Sequence, residues 1–305
     1  MNAAPRRICA VSGSRADYGL LLPLLHAIQR HSSLELQLAV TGSHLEQRFG
    51  HTVDVIRSDG FSVDAVVPLD LDDDAVLAIT RGLGRCVSGF AVELARLQPD
   101  LLLVLGDRYE ILGAVQAALI ARIPVAHIAG GDLTEGAFDD AIRHAISKMA
   151  HLHFVTNEGA SRRVRQLGEA DGRVFVTGSP GIDQIMETPL LERRELERLL
   201  GMPLQAQNLA LTFHPATLDS DDALRQLEQL LDALERLDET FGLVFTGANA
   251  DPRGQAINER LAYFVAGHAH AVHHASLGQQ GYYSLLANAD AVVGNSSSGL
   301  YEAPT

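Results

Sequence analysis

The densest chemistry in the chain lies between His127 and His144. There HIAGGDLTEGAFDDAIRH gathers four carboxylates (Asp132, Glu135, Asp139, Asp140), two histidines and Arg143. Gly130-Gly131 lets backbone approach a ligand closely. Asp139 and Arg143 are four apart, on one helix face. Asp139 and Asp140 also fit as helix N-terminal charges favoured by the dipole. A merely structural loop has no need for so many titratable groups after a buried strand, so the stretch reads as a site of proton chemistry. Asp107, in LGDRYE, follows another apolar run. A carboxylate at the end of a central strand sits where ligands bind, and burial and neighbours tune its ionisation. Capping the next helix and pairing with Arg108 accounts for Asp107 equally well.

Other strand ends carry groups suited to phosphate. In VSGSRADYG, Gly13 permits a tight turn and Arg15 sits at a helix N-terminus, a setting for a diphosphate. An ordinary turn with a surface Arg15 and Asp17 as N-cap explains the same residues slightly better. The loop is not GxGxxG, which argues against a dinucleotide. His44, ending TGSH, should share an edge with Arg15 and is otherwise the usual structural histidine. His214 of FHP ends a strand in the second half, and TGANAD (246–251) is a further polar strand end. GNSSSG (294–299) runs from an apolar strand into a helix. Its amides with Ser296, Ser297, Ser298 and Gly299 suit a phosphate held without lysine, and Glu302, one turn on, suits a ribose hydroxyl pair. A serine-rich linker would not follow an apolar strand directly.

These loops need a frame, and the apolar pattern supplies one. Runs at 8–12, 34–40, 101–105, 125–128, 153–156 and 174–177 read as buried strands. Stretches at 17–30, 75–97, 110–121 and 139–150 have helical spacing. Continuous apolar strands imply a sheet covered on both faces, and the alternation implies parallel strands with right-handed crossovers. Residues 187–208, with Pro189, Pro203 and Gly201 around a charged helix, read as a connector. A second series follows: strands at 209–213, 243–246 and 291–294, and helices over 220–237 and from 253. The expected fold is therefore α/β, with Rossmann-like doubly wound domains at 1–186 and 209–305 facing a cleft. The final YEAPT interrupts a helix, so the chain reads as lacking its last segment.

Composition narrows the partners. The 305 residues carry 24 Lys and Arg against 38 Asp and Glu, a net charge of −14. That argues against a nucleic-acid partner, which needs a basic field, but not against a phosphorylated ligand held locally. Two cysteines exclude a disulfide scaffold and fit a reducing cytoplasm. No stretch approaches the ~20 apolar residues of a membrane span.

Taken in order, SGSRADYGLL, VTGSH, LGDRYE, HIAGGDLTEGAFDDAIRHAISKMAHLHF, FHP and GNSSSGLYEAP resemble the hydrolysing UDP-N-acetylglucosamine 2-epimerases of sialic-acid-type sugar biosynthesis. These are relatives of the non-hydrolysing epimerases and have the GT-B fold. The resemblance implies elimination of UDP across C1–C2 of the sugar, then water addition to release N-acetylmannosamine, with no cofactor and no metal. It implies Asp107 and Asp139 as catalytic carboxylates and His214 as partner of the leaving diphosphate or as an acid. It places Arg15, Ser296, Ser297 and Ser298 on phosphates, Glu302 on ribose and His44 in the sugar pocket, with Arg143 orienting Asp139. It also implies a homodimer or homotetramer. Many members read HIEGGE, with a catalytic glutamate where this chain has Ala129; Asp132 or another carboxylate must then serve. The HIAGGD form is similar to that of relatives acting on UDP-diacetylbacillosamine or a GDP-linked N-acetylglucosamine. A GT-B glycosyltransferase and a non-catalytic nucleotide-sugar sensor are the competing readings.

Overall fold

A computed structural model describes residues 4–47, 50–70, 75–134, 138–214, 223–247, 252–296 and 298–305. The chain forms two compact units, 1–180 and 181–305. The first contains β1 (Arg6–Ser12), α1 (Arg15–Arg30), β2 (Leu34–Thr41), α2 (Val53–Ser58), β3 (Ala65–Val67), α3 (Val76–Leu97), β4 (Leu101–Leu105), α4 (Tyr109–Ala121), β5 (Val125–Ile128), α5 (Asp139–Met149), β6 (Leu152–Val155), α6 (Glu158–Gln166) and β7 (Val174–Val176). Its seven strands are all parallel and ordered β3-β2-β1-β4-β5-β6-β7.

Side-chain alternation explains why both faces are covered. Cys9, Val11, Leu102 and Val104 point to one face, against Cys86, Phe90 and Leu94 of α3 and Ile111 and Val115 of α4. Ile8, Ala10, Leu103 and Leu105 point to the other, against Tyr18, Leu21 and Leu25 of α1 and Ile56 of α2. Both sets are apolar, so the strands read as continuous apolar runs rather than alternating ones.

α7 (Pro180–Glu187) opens at the boundary between the units, and the second unit adds α8 (Arg193–Leu200), β8 (Gln207–Thr212), α9 (Ala223–Leu234), β9 (Phe241–Thr246), α10 (Pro252–Ala266), β10 (Ala271–His274), α11 (Gly278–Asn288), β11 (Ala291–Gly294) and α12 (Ser298–Tyr301). Its four parallel strands are ordered β10-β9-β8-β11. Leu209, Leu211 and Phe245 pack against α9 and α10, while Ala210 and Val244 pack against α8 and α11.

The division falls at Pro180, at the start of α7, rather than at 186. Residues 187–208 are also more than a connector. α8 is fixed by a capping box between Glu192 and Glu195 and ends at Gly201 in the left-handed region. Its Leu196 and Leu200 are buried in the second unit's core, which its charged outer face conceals in the sequence. Among the described residues, no helix is long and apolar enough to cross a membrane.

Candidate active site

In each sheet the order reverses at one place, and some of the predicted groups follow the strands there. In the first unit the reversal lies between β1 and β4, beyond whose carboxyl ends come Gly13 and Gly106-Asp107. In the second it lies between β8 and β11, followed by His214 and by Asn295-Ser296. Such switch points are where open α/β sheets bind ligands.

Asp107 is the centre of the first group. Its carboxylate forms an ion pair with Arg143, the two side chains being 20% and 12% exposed. Burial pushes the Asp107 carboxyl above its usual range; Arg143 opposes this and the nearby Asp139 charge adds to it. Asp107 is thus a carboxyl of raised proton affinity flanked by a guanidinium and a further carboxylate, a setting suited to acid–base chemistry. The expectation that Arg143 orients Asp139 is corrected: Arg143 pairs with Asp107, 36 residues away, rather than with the residue one turn earlier. Its Nε and Nη1 are buried with no partner among the described residues, and buried donors of this kind call for an acceptor from a ligand. Asp139 and Asp140 open α5; Asp140 accepts from the Thr134 amide at 2.9 Å and lies 3.6 Å from His144. Asp107 does not cap α4, whose N-cap is Arg108.

Other expected residues are already engaged. Asp132 accepts from Thr156 Oγ1 at 2.7 and 2.9 Å and from Asn157 Nδ2 at 3.3 Å, so it ties its loop to the end of β6. Glu135 lies outside the described residues. His44 is fully buried, with Nε2 2.8 Å from Ser12 Oγ and Nδ1 2.7 Å from Thr52 Oγ1. Both ring nitrogens thus serve the protein, and the surface expected to line a sugar pocket is absent from this residue. Arg15 is exposed at the start of α1. The N-cap there is Ser14, not Asp17; Asp17 donates its amide to Ser14 Oγ and its carboxylate accepts from the Gly13 amide.

The β1 loop hides a feature that spacing did not show. Glu110 is fully buried and paired with Arg108, and its Oε2 has no partner among the described residues. Gly13 is required not for a turn but for room: a Cβ there would lie 2.7 Å from Glu110 Oε1. Gly42 at φ +60 covers the same carboxylate, its Cβ position 2.9 Å from that oxygen.

In the second unit His214 is clamped by one amide. Asn295 Oδ1 accepts from the His214 N–H and Asn295 Nδ2 donates to the His214 carbonyl, both at 2.8 Å. Ser298 Oγ lies 2.6 Å from the Tyr282 hydroxyl, and its amide donates to Ser296 Oγ at 3.3 Å. The Glu302 amide donates to the Ser298 carbonyl at 2.9 Å, which places Glu302 directly after α12. Ser297 and residues 248–251 lie outside the described residues. Asn295 and Tyr282 were missed in the sequence; the asparagine directly after an apolar strand was the available signal.

The buried groups set a pH dependence of stability. Burial holds His44 and His127 down at about 4, and it lowers His153 as well. From about 6.5 down to about 4 the unfolded histidines take up protons that the folded ones refuse, so stability falls with pH across that interval. Asp17, pushed up to about 6 mainly by burial, acts oppositely: its contribution is complete below 3.8 and is lost as pH rises through 6. Three lowered imidazoles outweigh the two raised carboxyls, Asp17 and Asp107. Melting temperatures should therefore drop from pH 7 to pH 4, and more steeply in Asp17→Asn, which lacks the offset; a flat profile in both would refute the assignment.

Comparison with known proteins supplies the lineage of this geometry. The family model described as UDP-N-acetylglucosamine 2-epimerase matches residues 26–305. The chain is 40% identical to the GDP/UDP-N,N'-diacetylbacillosamine 2-epimerase (hydrolyzing) of Campylobacter jejuni, over 98% of this chain and 78% of that protein. It is 32% identical to a UDP-N-acetylglucosamine 2-epimerase of Neisseria meningitidis, over 98% of this chain and 77% of that protein. Its fold matches the crystal structure of UDP-GlcNAc 2-epimerase from Neisseria meningitidis bound to UDP-GlcNAc, with a TM-score of 0.81 at 17% identity, over 95% of this chain and 78% of that one. The expected α/β, GT-B-like class with two parallel sheets is thereby met. By these matches the chain belongs to the UDP-N-acetylglucosamine 2-epimerase family, among its hydrolysing members.

Proposed function

We propose that the protein converts UDP-N-acetylglucosamine and water to N-acetylmannosamine and UDP. The C2 proton is removed as the C1–oxygen bond to UDP breaks, giving a 2-acetamidoglucal. Water then adds its hydroxyl to C1 and a proton to C2 on the opposite face. The single observation that carries this reading is the Asp107–Arg143 pair beside Asp139. The C2 proton is weakly acidic, so its transfer needs a carboxylate of raised proton affinity and a second acid. Asp107 and Asp139 take these roles, and the unpartnered Arg143 donors hold the substrate. Asp132 and His44 act by fixing loops. Arg15, His214, Ser296, Ser297, Ser298 and Gly299 serve the diphosphate and Glu302 the ribose; backbone amides and one arginine suffice without lysine. No metal or cofactor enters this scheme, and the same reading includes a cytoplasmic homodimer or homotetramer.

A second sugar has specific support. Identity to the relative named for N,N'-diacetylbacillosamine is 40%, against 32% for the one named for UDP-N-acetylglucosamine. The test is a panel of UDP- and GDP-linked N-acetylglucosamine and N,N'-diacetylbacillosamine incubated in deuterated water and read by NMR. Free nucleoside diphosphate together with deuterium at C2 of the inverted sugar is the expected result. An intact panel would reject the reaction, and sugar release only with an added acceptor would indicate a glycosyltransferase.

A further inference from the structure

His127 is fully buried on β5 and takes no part in the scheme above, yet it touches both elements that carry the reactive pair. Its Nε2 lies 2.8 Å from the Gly106 carbonyl, the residue before Asp107. Its Nδ1 lies 3.2 Å from Ser147 Oγ, four residues after Arg143 and so on the same face of α5. A carbonyl only accepts, so Nε2 carries the hydrogen. The neutral ring must then accept at Nδ1, and Ser147 donates. Gly106 is held at both ends, since its N–H donates to the Ile128 carbonyl at 3.0 Å. It stands at φ +77, a backbone state that can swing Asp107 unless it is pinned. Packing encloses the strut: a Cβ at Gly130 would come 2.7 Å from Ser147 Oγ and 2.9 Å from His127 Nδ1. This gives a physical reason for the first glycine of the GG pair.

We infer that His127 is a positioning residue: an uncharged strut between the β4 loop and α5 that sets the Asp107–Arg143 geometry from below. Burial keeps the ring neutral, since its proton affinity is held down at about 4. The groups that face Asp107 itself are Arg143, Asp139 and Arg108. Loss of the strut therefore lets Asp107 drift from Arg143, and its carboxyl titrates at higher pH. The consequence for turnover rests on the 2-epimerase reading; the consequence for Asp107 does not.

The test combines NMR with kinetics. The 15N spectrum of the wild-type His127 ring should show the Nε2–H tautomer, and an Nδ1–H ring would overturn the inference. In His127→Leu the 13C-detected titration of Asp107 should move up. The acid limb of kcat should move with it, and kcat should fall about a hundredfold with KM within about threefold, the pattern of a misplaced reactive group. His127→Gln keeps a donor near Gly106 and should recover most of that loss. Leu94→Ala, a core variant on α3, gives a loss of stability without the shift. An unmoved Asp107 titration in His127→Leu, or a shift reproduced by Leu94→Ala, would overturn the proposal. Should His127→Leu not fold, Ser147→Ala decides: an upward shift supports the strut and none refutes it. If wild type processes no sugar in the panel, the function fails, and the Asp107 titration still judges the strut.

Discussion

Asp107→Asn is expected to lower turnover of the nucleotide sugar by about 10³-fold, within the range that proton transfer by a positioned side chain contributes. The amide is isosteric and still accepts a hydrogen bond from Arg143, but it neither takes nor returns a proton. The raised proton affinity of Asp107 means that its buried charge is a net penalty at neutral pH, so the neutral amide should leave stability little changed. KM should change little, since the diphosphate contacts are assigned elsewhere. UDP release with circular dichroism on the same sample separates lost chemistry from lost fold. A rate within about tenfold of wild type would remove Asp107 from the acid–base role.

The largest effect on stability is expected at Gly294→Ala. Gly294 ends β11 opposite Thr212 of β8, at φ +142, and a Cβ there would lie 1.8 Å from the Thr212 carbonyl oxygen. That contact is with backbone, so relief requires β11 to part from β8. Backbone strain and overpacking together put the cost at about 3 kcal/mol or more. These two strands carry Asn295 and His214, so the clamp between them should open as well. Thermal melts should show the second unit weakened, and calorimetry should show UDP binding reduced. Gly267→Ala is the control: its nearest neighbour would be the Phe264 carbonyl at 3.6 Å, and its melt should match wild type. Equal melts for the two variants would refute the packing argument.

How much of this was legible beforehand depends on what each element shows the solvent. β1, β4 and β5 were readable because both faces are apolar. β3, AVV, is too short and β10, AVHH, too mixed to present an apolar run of strand length. α8 was seen as a charged helix but not as part of a core, since only Leu196 and Leu200 mark its inner side. At the site, composition drew attention to loops at strand ends, while partners followed different rules. The i, i+4 spacing favoured Asp139 for Arg143, yet a strand-end carboxylate brought in by tertiary packing took the guanidinium. The family resemblance puts His44 in the sugar pocket; its burial against Ser12 and Thr52 cannot be read from four letters. Glu110 was hidden for the opposite reason: an acid in a first helical turn looks like a surface residue, and the two glycines above it reveal a buried side chain.

The flanks of the larger sheet carry a separate consequence. Its outermost strands, β3 and β7, are three residues each, whereas β1 and β2 inside have seven and eight. Exposed ladder groups are what recruit foreign strands into aggregates, and a short margin offers few of them. The folded first unit should therefore resist fibrillar growth, and any clumping on heating would begin from molecules whose long inner strands had already come loose.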